Sequence, residues 1–133
     1  MQGTNPLKEL EGYRVLVVED QPLEAIDYCD LLTEAGAEII GPFTSVSEAL
    51  SCVDDALIDV ALLDYALADQ NSERLQNALE RRSIPFVVLS GYPPVLVRRN
   101  EGQHVLSKPI SPDLLRIALR SACRGEPPQS ITH

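Results

Sequence analysis

Three unbroken apolar runs constrain what this chain can fold into: Val15-Leu16-Val17-Val18, Val60-Ala61-Leu62-Leu63 and Phe86-Val87-Val88-Leu89. A strand with one wet face alternates apolar and polar residues. A run without alternation fits a strand covered on both faces, as in a parallel sheet flanked by helices. Each run stops at a polar residue: Glu19-Asp20 after the first, Asp64 after the second, Ser90 after the third. If the runs are parallel strands, these residues line the carboxyl edge of the sheet, where open α/β folds bind their ligands.

The intervening sequence reads as helices. Pro22 suits a first helical position, and Leu23, Ile26, Cys29 and Leu32 follow at helical spacing up to Gly36, a candidate C-terminal cap. Ala37–Ile40 reads as a short second strand closed by Gly41-Pro42. Ser45-Val46-Ser47-Glu48 has the form of a capping box opening a short helix through Val53. The third strand is expected over Asp59–Leu63, followed by a polar loop, with Asp69 read as solvated, and a helix near Ser72–Arg82. Ile84-Pro85 opens the fourth strand. Gly91-Tyr92-Pro93-Pro94 then leaves only Val95–Asn100 for a reduced helix before a fifth strand over Gln103–Leu106, whose His104 reads as structural. Ser111-Pro112-Asp113 is a strong start for the last helix, with Leu115, Ala118, Leu119 and Ala122 on its buried stripe. Five alternations of strand and helix imply an α/β fold, an open doubly wound parallel sheet.

A chain of 133 residues with 44% hydrophobic content fits one domain, expected over 13–125, with 1–12 as a disordered lead-in and 126–133 as a disordered tail. The formal charge is −9, from 20 acidic and 11 basic residues. That balance speaks against a nucleic-acid partner and against docking on anionic lipid. The cysteines, Cys29, Cys52 and Cys123, are widely spaced and odd in number, which fits free thiols in a reducing compartment. With no signal-peptide pattern and no apolar run of about 18 residues, a soluble cytoplasmic protein without membrane insertion is expected.

If the first and third strands are neighbours, Glu19, Asp20 and Asp64 converge. Two carboxylates about 4 Å apart repel by roughly 4 kcal/mol at an effective dielectric near 20. A raised pKa, a cationic side chain or a metal must relieve this. Oxygen ligands favour Mg²⁺, which takes one or two carboxylates plus a phosphate oxygen. Lys108 offers a second cation and Ser90 a hydroxyl donor. Such a pocket suits a phosphoryl group, with Asp64 as nucleophile.

Glu19-Asp20, Asp64, Ser90 and Lys108-Pro109, each at a strand end, resemble in order and spacing the response-regulator receiver family, the CheY-like domains of two-component signalling, from about Arg14 to Arg124. The resemblance implies a flavodoxin-like (βα)5 fold with strand order 2-1-3-4-5. It implies Asp64 as phosphoacceptor, and Asp20, Asp64, Glu19 and the backbone carbonyl of Ala66 as the Mg²⁺ set. It further implies Ser90 and Lys108 as contacts to the phosphoryl group, and a cis Lys108-Pro109 peptide. The implied donor is a phosphohistidine on a histidine kinase or histidine phosphotransfer protein, and a downstream protein of unknown identity would read the switched face. The receiver would catalyse only its own phosphotransfer and dephosphorylation, as monomer or weak homodimer.

The chain departs from the family pattern in three places. Val105 stands where the family has its switch aromatic, the fourth helix is shortened, and the loop after Asp64 reads Tyr65-Ala66-Leu67-Ala68-Asp69. Ala66 and Tyr92 fall at positions that tune phosphoryl lifetime. Gly41–Leu50 and Pro85–Tyr92 look similar to stand-alone receivers of some bacteria, with no output domain expected in this chain. Two alternatives stand beside this reading. One is a receiver-like interaction module that works without phosphorylation. The other is a small phosphatase of the haloacid-dehalogenase type, which would need an acid where this chain has Ala66.

Overall fold

The computed structural model describes residues 9–91 and 104–126. Their strands are β1 (Arg14–Val18), β2 (Glu38–Phe43), β3 (Val60–Asp64), β4 (Phe86–Ser90) and β5 (His104–Ser107). The helices among the described residues are α1 (Pro22–Glu34), α2 (Val46–Asp55), α3 (Glu73–Arg81) and α4 (Pro112–Cys123). All strand pairs are parallel, in the order β2-β1-β3-β4-β5. This is the open doubly wound sheet expected from the alternating elements, in the strand order that the resemblance implies. The reduced helix expected over Val95–Asn100, together with Tyr92 and Gln103, falls outside the described residues.

The apolar runs behave as their lack of alternation requires. Val15, Val17, Val60, Leu62, Val87 and Leu89 pack with Leu32 of α1 and Leu115 and Leu119 of α4. Leu16, Val18, Ala61, Leu63 and Val88 face the other way, onto Val46 and Val53 of α2 and Leu75 and Leu79 of α3. Every residue of β3 and β4 is buried. The in-register pairing Val18↔Leu63 and Asp64↔Leu89 brings the strand ends to one rim.

β2 differs from its expected form. It does not close at Gly41-Pro42 but runs through that pair, across a cis peptide and a register shift, so that Val18 lies opposite Phe43. Pro42 is tolerated because β2 is an edge strand. Gly41 supplies a φ of 109°, and a Cβ there would sit 2.8 Å from the Val17 carbonyl oxygen and 2.9 Å from the Phe43 nitrogen. Both neighbours are backbone and cannot yield cheaply. Gly41→Ala should therefore lower stability by about 1–3 kcal/mol, read from the urea midpoint at unchanged slope.

Packing also begins earlier than the expected boundary. Leu10 is fully buried, its N–H donates to the Ala35 carbonyl at 2.8 Å, and Glu9 pairs with Arg120 at 3.1 Å. Three other local expectations are refined. β3 extends to Asp64 itself, so the acid is the last residue of the strand. Ser45 accepts from the Glu48 N–H, but the Glu48 carboxylate reaches Thr44 rather than Ser45. Asp69 is not merely a solvated loop acid: it accepts from the Val46 and Ser47 N–H groups, orphan donors at the start of α2. The Val46 N–H is the main reason its carboxyl is held below the usual range.

His104 is buried, with Nε2 3.1 Å from the Glu126 carbonyl oxygen, so Nε2 carries the proton. Burial lowers its pKa below the ordinary 6.5. The folded state thus binds fewer protons than the unfolded state just below pH 6.5, and stability falls as the pH drops. Urea unfolding at pH 7.5 and 5.5 should show wild type losing more stability than His104→Gln, by at most about 1.4 kcal/mol per pH unit.

Candidate phosphoryl and metal site

The carboxyl rim is built by backbone pairing before any side chain acts. The Glu19 N–H donates to the Phe43 carbonyl at 2.9 Å, so the extended end of β2 fixes the residue after β1. The Tyr65 N–H donates to Leu89, and the Lys108 N–H to Ser90 at 2.8 Å. The Lys108-Pro109 peptide is cis.

Four of the sequence-selected side chains meet. Ligand oxygens of Glu19, Asp20 and Asp64 lie within 4.8 Å of one another. Lys108 Nζ donates to Asp64 Oδ2 at 3.1 Å and to Glu19 Oε1 at 3.3 Å. Glu19 and Asp64 are buried, whereas Asp20 is half-exposed. Ser90, buried at the end of β4, pairs across to Ser107 and stands beside the β3 end. Ala66 is exposed at the start of the β3–α3 loop, in a bridge with Asn71. Val105 is half-buried in β5 opposite Val88.

Sequence reasoning missed Glu24 and Tyr28. Glu24 Oε1 takes the shortest of the lysine's hydrogen bonds, 2.6 Å, and the Tyr28 hydroxyl donates to the same oxygen at 3.3 Å. The available signal was positional: Glu24 lies in the first turn of the helix that leaves the Glu19-Asp20 rim, with Tyr28 one turn on.

The electrostatics follow from this crowding. Burial pushes the Glu19 carboxyl up to about 7; the Gln21 N–H opposes the shift and the Asp64 charge adds to it. Burial works against the charge on Lys108, but the hydrogen bond to Glu24 and the charges of Asp64 and Glu19 outweigh it and hold the ammonium above its ordinary range. The rim thus has more negative charge than one lysine neutralises. Its clustered hard oxygen donors fit Mg²⁺.

No family model matches the chain. The phyllosphere-induced regulator PhyR of Methylorubrum extorquens is 27% identical over 103 residues, 74% of this chain and 39% of that protein. The solution structure of the PhyR response regulator REC domain of Erythrobacter litoralis shares the fold with a TM-score of 0.75 at 22% identity, over 93% of this chain and 98% of that one. The solution structure of SdrG from Sphingomonas melonis Fr1 is 35% identical, with a TM-score of 0.73, over 84% of this chain and 96% of that one. This chain belongs to the response-regulator receiver family. The receiver spans less than half the length of the curated relatives it matches. Its acids and Lys108 occupy one rim, and among the described residues no helix is long and apolar enough to cross a membrane.

Proposed function

We propose that this receiver accepts a phosphoryl group on Asp64, in a Mg²⁺-assisted transfer from a phosphohistidine on a histidine kinase or histidine phosphotransfer protein. The observation that carries the reading is the convergence of Asp64 with Glu19, Asp20 and the Lys108 ammonium at one strand rim. An Asp64 carboxylate oxygen attacks phosphorus. The P–N bond breaks, and the imidazole leaves and takes up a proton. Mg²⁺, when bound, offsets charge on the phosphoryl oxygens and the carboxylates. Glu19, Asp20, Asp64 and the Ala66 carbonyl would hold it. Lys108 pairs with one phosphoryl oxygen, and the Ser90 hydroxyl donates to another.

The product carries added negative charge and acceptor oxygens beside β4. Drawing Ser90 toward them changes the face that a downstream protein reads. Val105 cannot swing as an aromatic ring does, so the switch runs through Ser90. The receiver acts as a soluble cytoplasmic phosphoacceptor and turns over no external substrate. Alanine at position 66 supplies no second acid for phosphatase chemistry, and a Lys108 seated on the acids favours phosphorylation over a phosphorylation-free module.

Phosphoramidate, a small P–N donor, tests this without knowledge of the kinase. Intact mass should gain one phosphoryl group with Mg²⁺ and none with EDTA. No gain under either condition, with a control receiver phosphorylated alongside, would overturn the assignment.

A further inference from the structure

We propose that Glu24 is a positioning residue that competes with Asp64 and Glu19 for Lys108, and so sets the balance between metal binding and phosphoryl retention. The proposal rests on the phosphoacceptor reading of Asp64. A lysine ammonium has three N–H donors, and here each has a carboxylate partner. The closest, Glu24 at 2.6 Å, is also the most exposed, at 41% against 7% for Asp64 and 1% for Glu19. Glu24 is itself steadied by the Tyr28 hydroxyl, and both line an open cleft of about 770 Å³ between α1 and the β5–α4 loop.

Two consequences of opposite sign follow. Before phosphorylation, Glu24 takes part of the lysine's charge, which leaves Asp64 and Glu19 more negative toward a divalent cation. After phosphorylation, Lys108 serves a phosphoryl oxygen, and Glu24 becomes a competing anion beside a group that is itself an anion. Neutralising Glu24 therefore weakens the first state and strengthens the second. Loss of fold would weaken both.

The test uses Glu24→Gln and Tyr28→Phe, with Mg²⁺ affinity read by calorimetry and beryllofluoride affinity read by amide NMR at saturating Mg²⁺. In Glu24→Gln, Mg²⁺ should bind about three- to fivefold more weakly and beryllofluoride about three- to fivefold more tightly, the scale of a partly exposed ion pair. Tyr28→Phe should move both in the same directions by less. Unchanged affinities, or two affinities moving together, would overturn the role of Glu24 while leaving Asp64 as phosphoacceptor. A wild type that takes up no beryllofluoride would remove the phosphoacceptor reading and this role with it.

Discussion

Asp64→Asn should reduce phosphoryl uptake from phosphoramidate by at least about 1,000-fold, the scale on which loss of a nucleophile acts. An amide is a poor nucleophile toward phosphorus, and the neighbouring acids are badly placed to substitute. Glu19 is buried and already spends Oε2 on the Gln21 N–H at 3.0 Å and Oε1 on Lys108 at 3.3 Å. Asp20 is half-exposed and lies off the end of β1. Asparagine matches aspartate in shape and removes one charge from a crowded rim, so the variant should remain folded. Uptake by Asp64→Asn at the wild-type rate, measured by intact mass, would move the nucleophile elsewhere.

Lys108→Ala should cost about 3 kcal/mol of stability in EDTA at pH 8, because it strips the cation from two buried carboxylates. Lys108 bonds Glu19 at 3.3 Å and Asp64 at 3.1 Å, and both acids are buried. The sign of the pH dependence follows from Glu19. Its folded pKa of about 7 lies above its ordinary 4.5, so its contribution to stability is complete below about pH 4.5 and is lost as the pH rises through 7. The penalty of the variant should therefore be smaller at pH 5 than at pH 8. Saturating Mg²⁺ should recover part of it, since a divalent cation replaces the missing charge. Urea unfolding at both pH values, with and without Mg²⁺, reads all three effects. A stability equal to wild type at pH 8 in EDTA would mean that Lys108 does not compensate the rim.

The sheet was legible in the sequence because burial on both faces leaves a one-dimensional mark. Val15–Val18, Val60–Leu63 and Phe86–Leu89 have no alternation, and the polar residue after each run marks the rim. That placed Glu19, Asp20, Asp64 and Ser90 without any knowledge of tertiary contacts. What was not legible depends on position in the sheet or on long-range partners. Gly41-Pro42 reads as a strand end, yet at an edge a proline need not donate and a glycine can take the positive φ, so β2 continues to Phe43. Leu10 is one apolar residue in an aperiodic stretch, and only the Ala35 carbonyl and the core beyond it give it a place. Asp69 meets α2 across more than twenty residues of sequence, and Glu24 meets Lys108 across eighty-four. Helical spacing tells which residues share a face, but not which of them overhangs the rim.

Reductive trapping of the phosphorylated protein tests the central claim most directly. Borohydride reduces an aspartyl-phosphate to homoserine, and peptide mass spectrometry then reads which residue was converted. After phosphoramidate and Mg²⁺, homoserine is expected at position 64 alone, and nowhere when Mg²⁺ is withheld. Conversion at another acid, or phosphate found as a stable ester on Ser90, would contradict a site in which Lys108 and the Glu19-Asp20 pair serve Asp64.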